Sequence, residues 1–120
     1  MTLQEIAEEL VSGCRRNSCK SNLETLYAPG AVSVDAADAW GFGRTLRGLD
    51  AIRSKHEWRA RATEVSMGSV MGPFLHGDDR FAVVYEARGK RKDTGESFDR
   101  REVAIYHVAG GKIVREEFFC

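Results

Sequence analysis

The stretch from Glu102 to Cys120 reads EVAIYHV, then AGG, then KIVREEFFC. β-branched and aromatic residues crowd both halves and the glycines punctuate them, which predicts an antiparallel hairpin. Such a hairpin constrains the chain because loop length sets register, and register decides which side chains share a face. A loop of Ala109-Gly110-Gly111 sets Val108 opposite Lys112, Tyr106 opposite Val114, Ala104 opposite Glu116 and Glu102 opposite Phe118. One face then carries Glu102, Ala104, Tyr106, Val114, Glu116, Phe118 and Cys120. The other carries Val103, Ile105, Ile113, Arg115 and Phe119. The first face mixes carboxylates with aromatics, as a ligand cavity does. The second is flatter and aliphatic, suited to packing or self-association. A loop of Gly110-Gly111 alone would shift the pairing by one and lay Tyr106 with Arg115.

Upstream, Thr2-x-x-Glu5 forms a capping box, and Leu3, Ile6, Ala7, Leu10, Val11 and Cys14 follow as one apolar helical stripe. A second box, Ser21-x-x-Glu24, predicts a short helix with Leu23, Leu26 and Tyr27 inward, stopped at Ala28-Pro29-Gly30. Ala31 to Asp35 alternates like a short strand, and Asp35 to Gly43 reads as a loop with an exposed Trp40-Gly-Phe42-Gly. A third helix spans Leu49 to about Ala62, with Leu49, Ile52 and His56 on one stripe and Ala51, Lys55, Trp58 and Ala62 on another. From Glu64 the signal is β. Val65 to His76 is interrupted by Gly68, Gly72 and Pro73, which predicts a bend or bulge. Phe81 to Arg88 and Phe98 to Val108 are further strands. Helices followed by a meander predict an α+β domain with the helices on one face of a bent, mostly antiparallel sheet, closing a cone around an interior.

A chain of 120 residues is one domain, residues 1–120, with enough length for one core. Basic and acidic residues balance at 18 each, so nothing in the charge points to nucleic acid or an anionic membrane. No apolar run reaches the ~20 residues of a membrane span, and MTLQEIAEEL lacks the pattern of a signal peptide. Three cysteines, Cys14, Cys19 and Cys120, then read as reduced thiols in a cytoplasmic protein. No His, Cys and carboxylate cluster has metal-ligand spacing, and no cofactor motif occurs, so neither metal nor cofactor is expected.

The order of elements, with LYAPGAVSVD, RGLDAI and GGKIVREEFF, resembles the SnoaL-like branch of the nuclear transport factor 2-like superfamily. That superfamily includes ketosteroid isomerase, polyketide cyclases, scytalone dehydratase and non-catalytic transport factors, so the resemblance implies a fold more than an activity. It implies a cone of three N-terminal helices on a bent sheet around a deep apolar pocket, commonly dimeric through the outer sheet face. The LYAPGAVSVD segment resembles the isomerase segment that ends in its catalytic aspartate, a position Asp35 occupies. The isomerase's oxyanion donors are replaced by Val11 and by Val103 or Ala104, which argues against steroid isomerisation.

The candidate catalytic residues are therefore Asp35, Glu116, Glu102 and His56. Asp35 is a candidate base in an apolar pocket, against a plain loop aspartate. Glu102 and Glu116, two ladder positions apart on one face, could divide acid and base roles, or bind Arg100 and Arg101 as a structural network. His56 could move a proton, or lie on a helix surface. Trp58, Tyr106, Phe118 and Tyr27 would wall the pocket against a hydrophobic small molecule, or serve as core. The expected function is a small-molecule pocket protein acting as a cofactor-free isomerase, cyclase, dehydratase or hydrolase. The alternative is a non-catalytic ligand-binding or dimerisation module.

Overall fold

A computed structural model describes residues 1–38, 41 and 43–120 of the chain. Trp40 and Phe42 of the expected exposed loop lie outside the described residues. The chain runs α1 (Leu3–Arg15), α2 (Cys19–Leu26), β1 (Tyr27–Val34), β2 (Thr45–Arg47), α3 (Leu49–Ala62), β3 (Thr63–His76), β4 (Arg80–Arg91), β5 (Ser97–Ala109) and β6 (Lys112–Phe119). The strands form one six-stranded sheet in the order β2-β1-β6-β5-β4-β3. Every neighbouring pair is antiparallel except β1 with β6. The architecture is α+β, with three helices against an open sheet whose outer strands are β2 and β3.

The capping box forms as expected at α1: Thr2 Oγ1 accepts from Glu5 N at 3.2 Å, and Glu5 Oε1 accepts from Thr2 N at 2.8 Å. The second box does not. Helix α2 starts earlier, after Ser18, and the Ser21 hydroxyl instead donates to Ser18 O at 2.7 Å. Tyr27 opens β1 directly, and the strand runs through Pro29 rather than stopping there. Proline is tolerated because β1 pairs with β6 only at Tyr27 and again from Val32, with a register break between. Lys112 Nζ donates to Thr25 O at 2.9 Å just before that junction.

The core consists of Ile6, Ala7, Leu10 and Val11 of α1, Leu23 and Leu26 of α2, and Ile52 of α3, facing Phe81, Val83, Ala104, Tyr106 and Ile113 of the sheet. Phe81 and Tyr106, cross-strand partners, stack with ring centroids 4.9 Å apart. β3 carries two irregularities, one between Val65 and Met67 and one between Met71 and Phe74. The second falls at Gly72-Pro73, as the sequence suggested. Gly68 stays in register with Ala87, and the other break is at Ser66.

The β5–β6 loop is Gly110-Gly111, not AGG. Both glycines have positive φ, 59° and 75°, which a two-residue turn compatible with strand twist requires. Ala109 therefore faces Lys112 and Val108 faces Ile113. A bulge at Val114 then adds one residue, so Tyr106 faces Glu116, Ala104 faces Phe118 and Val103 faces Phe119. The predicted grouping of Ala104, Tyr106, Glu116 and Phe118 on one face holds because loop and bulge together shift β6 by two residues. Ile113 precedes the bulge and lies fully buried in the core, not on the outer face.

Cys14 and Cys19 are joined as a disulfide between α1 and α2, which corrects the reading of three reduced thiols and removes one ground for a cytoplasmic assignment. Cys120 is free and exposed. No helix among the described residues is long and apolar enough to cross a membrane.

Candidate functional site

Residues of α1, α2 and α3 and of β1, β3, β4, β5 and β6 line a cavity of about 590 Å³ that is partly open to solvent. That volume suits a small organic ligand. Its chemistry centres on Glu116, whose side chain is 1% exposed. A carboxylate this deep requires donors on its oxygens. Tyr27, at the start of β1, donates its hydroxyl to Oε1. Ser33, further along β1, donates to Oε2 at 2.7 Å. The parallel pairing of β1 with β6 sets Ser33 directly beside Glu116, which makes the second contact local to the ladder.

Behind Ser33 lies Lys55 of α3, 2% exposed. Its ammonium donates to Ser33 Oγ at 2.9 Å and meets both oxygens of Asp35 at 3.3 Å. It also sits 5.2 Å from the Phe118 ring centroid, within cation–π range. Because Lys55 can only donate, the Ser33 proton must point to Glu116. The result is an oriented series from the cavity outward: Tyr27, Glu116, Ser33, Lys55, Asp35. Lys55 pairs with Asp35 directly and reaches Glu116 through the Ser33 hydroxyl, so its single positive charge offsets part of the cost of burying the set.

A second polar pair faces Glu116 across the ladder. Tyr106 is its cross-strand partner, and the Tyr106 and Tyr85 hydroxyls lie 2.7 Å apart. Cys14 Sγ sits 3.6 Å from the Tyr85 hydroxyl. Cys14 Sγ, being part of the disulfide, can only accept, so Tyr85 donates to it and Tyr106 donates to Tyr85; a sulfur is a weak acceptor, and an oxygen placed beside Tyr85 competes with it for that proton. Burial, reinforced by the Glu116 charge, raises Tyr27 well above the usual phenol range. Burial and the neighbouring tyrosines do the same for Tyr106. Burial also raises Tyr85, although its bond with Tyr106 opposes this. All three therefore stay protonated near neutral pH and act as donors.

His56 also lines the cavity. Burial, followed by the positive charges of Arg59, Lys55 and Lys20, lowers it to about 4, so its imidazole is neutral at physiological pH. Glu102 lines the cavity but not beside Glu116. It pairs with Tyr85 on β4 and stands four residues from Tyr106 along β5, roughly 13 Å at ~3.3 Å per residue. The two glutamates therefore do not share a proton, and the expectation that they lie two ladder positions apart is corrected by the shift of β6.

Of the residues read from sequence, Glu116, Glu102, His56, Tyr106, Phe118 and Tyr27 line the cavity. Asp35 and Trp58 do not. Asp35 sits at the end of β1 behind Lys55 and reaches the cavity only through the Lys55–Ser33–Glu116 series. Three polar contributors escape a reading of the sequence: Ser33, Lys55 and Tyr85. Alternation in FAVVYEAR places Phe81, Val83 and Tyr85 on one face, a signal that can reveal Tyr85. The sequence places Lys55 on a stripe with Ala51, Trp58 and Ala62 but gives it no role in the site. Among the described residues no group of three His, Cys, Asp or Glu side chains could hold a metal ion.

The family model of the SnoaL-like domain matches residues 13–116. Among solved structures, the chain is similar to a Mesorhizobium loti protein provisionally assigned as a SnoaL-like polyketide cyclase and carbohydrate phosphatase. Identity is 32%, all of both chains is covered and the TM-score is 0.92. A nuclear transport factor 2-like protein from Burkholderia thailandensis is 22% identical, with 99% of this chain and 90% of that one covered and a TM-score of 0.83. A cystatin-like-fold protein of unknown function from Xanthomonas campestris is 17% identical over 99% and 90%, with a TM-score of 0.78. A comparison with curated proteins gives no match. With the family model spanning most of the chain and one structure 32% identical end to end, the chain belongs to the SnoaL-like domain family.

Proposed function

We propose that the protein is an acid–base catalyst working on a small, largely apolar molecule that carries a carbonyl or comparable oxygen. The observation that carries this reading is Glu116, buried at the cavity wall with both oxygens fixed by hydroxyl donors. In this reading the Tyr85 hydroxyl exchanges its weak bond to Cys14 Sγ for one to the substrate oxygen and stabilises negative charge that develops there. Glu116 takes a proton from the adjacent carbon, and Tyr27, sharing its proton with Glu116, can return one. Ser33 and Lys55 hold the carboxylate in place, and Asp35 acts through Lys55 as a positioning residue. Isomerisation, cyclisation by an enolate and elimination all use this step, and none of it calls on a cofactor.

Proton exchange tests the reading before the natural substrate is identified. A panel of cyclic enolisable ketones in D2O, followed by proton NMR, reports exchange at the α-carbon. Wild type should accelerate exchange of at least one ketone. Glu116→Gln should lose about 100-fold or more of that rate while retaining the wild-type circular dichroism spectrum. Equal exchange by the two proteins, or none with any ketone, counts against the reading. The second reading, a pocket that binds without turnover, is favoured by one feature: both Glu116 oxygens already accept protons from the chain itself. It predicts ketone binding with no exchange.

A further inference from the structure

Cys14 and Cys19, joined as a disulfide across the junction of α1 and α2, both line the cavity and are both half-buried. The bond touches the site itself. Cys14 Sγ faces the Tyr85 hydroxyl at 3.6 Å, and Asn22 Nδ2 approaches the same sulfur at 3.9 Å. Cys19 also lines a second recess, with Lys20, His56 and Glu57, to which Tyr85 does not contribute. The junction holds without the bond. The disulfide closes a loop of four residues, Arg15 to Ser18, so it removes little freedom from the unfolded chain. Backbone bonds fix the turn separately: Arg16 N donates to Ser12 O at 3.1 Å, Asn17 N to Cys14 O at 3.1 Å and Ser18 N to Gly13 O at 2.7 Å. Leu10 and Val11 of α1 and Leu23 of α2 anchor both helices in the core.

Breaking the bond therefore leaves the helices in place and changes what Cys14 offers Tyr85. A disulfide sulfur can only accept, whereas a thiol can also donate. With the bond intact, Tyr85 directs its proton at Cys14 Sγ, and a ligand oxygen must displace that contact. With Cys14 as a thiol, the S–H can donate to the Tyr85 oxygen. That oxygen has two lone pairs, so it accepts from Cys14 and from Tyr106 together, and Tyr85 turns its own proton to the ligand.

We infer that Cys14–Cys19 is a thiol–disulfide exchange site that regulates the cavity: reduction by a small dithiol frees the Tyr85 hydroxyl for a ligand oxygen and tightens binding. The inference deepens the proposed function, resting on Tyr85 as the donor to that oxygen but not on proton transfer by Glu116. One thiolate of the dithiol attacks Cys19 Sγ from the second recess. A bond forms between those two sulfurs, the Cys14–Cys19 bond breaks, and its electron pair leaves on Cys14, where the Tyr85 hydroxyl faces the departing thiolate. Cys14 then takes a proton from water. The second thiolate of the dithiol attacks the dithiol sulfur of the mixed disulfide and releases Cys19 as a thiolate, which is protonated in turn. The dithiol leaves as its cyclic disulfide, oxidised by the two electrons that the protein pair gains.

Dithiothreitol in native buffer tests the chemistry, and 2-indanone tests its consequence. Iodoacetamide followed by intact-mass measurement should add one label to the untreated protein, at Cys120, and three after dithiothreitol, with an unchanged circular dichroism spectrum. Isothermal titration, with dithiothreitol removed under argon, should show 2-indanone binding the reduced protein about threefold or more tightly than the oxidised one. Indane, which lacks the oxygen, should bind both alike. Tyr85→Phe should remove the difference for 2-indanone. Cys19→Ser, which keeps Cys14 a thiol in air, should bind 2-indanone as the reduced protein does; if that variant does not fold, reduced wild type carries the test alone. Glu116→Gln should keep the redox difference, which separates this result from the fate of the proton-transfer reading. The inference is overturned by three labels before reduction, by one label after it, by equal or absent 2-indanone binding in the two states, or by an equal gain for indane.

Discussion

Lys55→Met removes the one cation that holds Asp35, Ser33 and, through Ser33, Glu116 in place. The methionine keeps most of the apolar stem against Phe118, so the change isolates the charge. Removing one partner of a buried ion pair costs about 3–5 kcal/mol. Asp35 keeps 19% of its side-chain exposure and can recover some hydration, which brings the cost to about 2–3 kcal/mol. Unfolding entropy of about 2.1 cal/mol/K per residue gives about 0.25 kcal/mol/K for a chain of 120 residues. The expected fall in Tm is then about 8–12 °C, read by scanning calorimetry. Asp35→Asn combined with Lys55→Met should recover about 1 kcal/mol or more of the sum of the single losses, because the two groups are in contact. A single variant melting within about 2 °C of wild type, or a strictly additive double variant, would refute the account of Lys55 as the counter-charge of this series.

The remaining expectations are briefer. His56 is held below its ordinary range, at about 4, so between that value and 6.5 the unfolded chain binds the proton and the folded chain does not. Stability is then fully present above pH 6.5 and falls as pH drops toward 4. A urea titration should show this loss, about 1–2 kcal/mol after allowance for partial solvent access, and His56→Gln should remove that part of the slope. At Gly89 an added Cβ would meet the Glu64 carbonyl oxygen and the Phe98 ring, so Gly89→Ala should destabilise by about 2 kcal/mol or more, visible as a lower urea midpoint; an unchanged midpoint would contradict the close approach of β3 to β4. Met71, Val84, Val103 and Phe119 lie in one row across β3, β4, β5 and β6 on the face away from the helices, with Phe119 52% exposed. Light scattering should give a dimer mass that Phe119→Lys converts to monomer, and a monomeric wild type at micromolar concentration would dismiss this interface.

Much of the fold is legible because apolar periodicity survives local error. The hairpin shows why. The AGG loop is one residue too long, and no residue near Val114 signals a bulge, yet the inner face keeps Ala104, Tyr106, Glu116 and Phe118. Two single-residue offsets sum to an even number, and a strand's faces depend only on parity. The same offsets move Glu116 from beside Ala104 to beside Tyr106, where parity gives no guidance. A carboxylate pair therefore becomes a carboxylate facing tyrosines. Ile113 shows the limit from the other side: it precedes the bulge, the parity argument has only one offset there, and it goes to the core.

The contact between Lys55 and Asp35 is illegible for a different reason. The stripe of Ala51, Lys55, Trp58 and Ala62 is compatible with burial of Lys55, but the partners that hold its charge come from strand β1 beneath α3. That strand is contacted through a crossover, so no local pattern announces the neighbour. The position of Asp35 by family resemblance suggests a base in the pocket. Its geometry assigns it the opposite end of a charge series. A base must reach the substrate, and Asp35 meets Lys55 instead; the carboxylate that does line the cavity, Glu116, is the one that Lys55 supports through Ser33. In the proposed mechanism one scaffold keeps an aspartate at a given place while the proposed proton-transfer group stands on another strand, with a cation between them that makes both carboxylates tolerable in the fold's interior. Replacing Lys55 should therefore disturb Glu116 as much as Asp35, while replacing Asp35 alone should leave Glu116 bound to Tyr27 and Ser33.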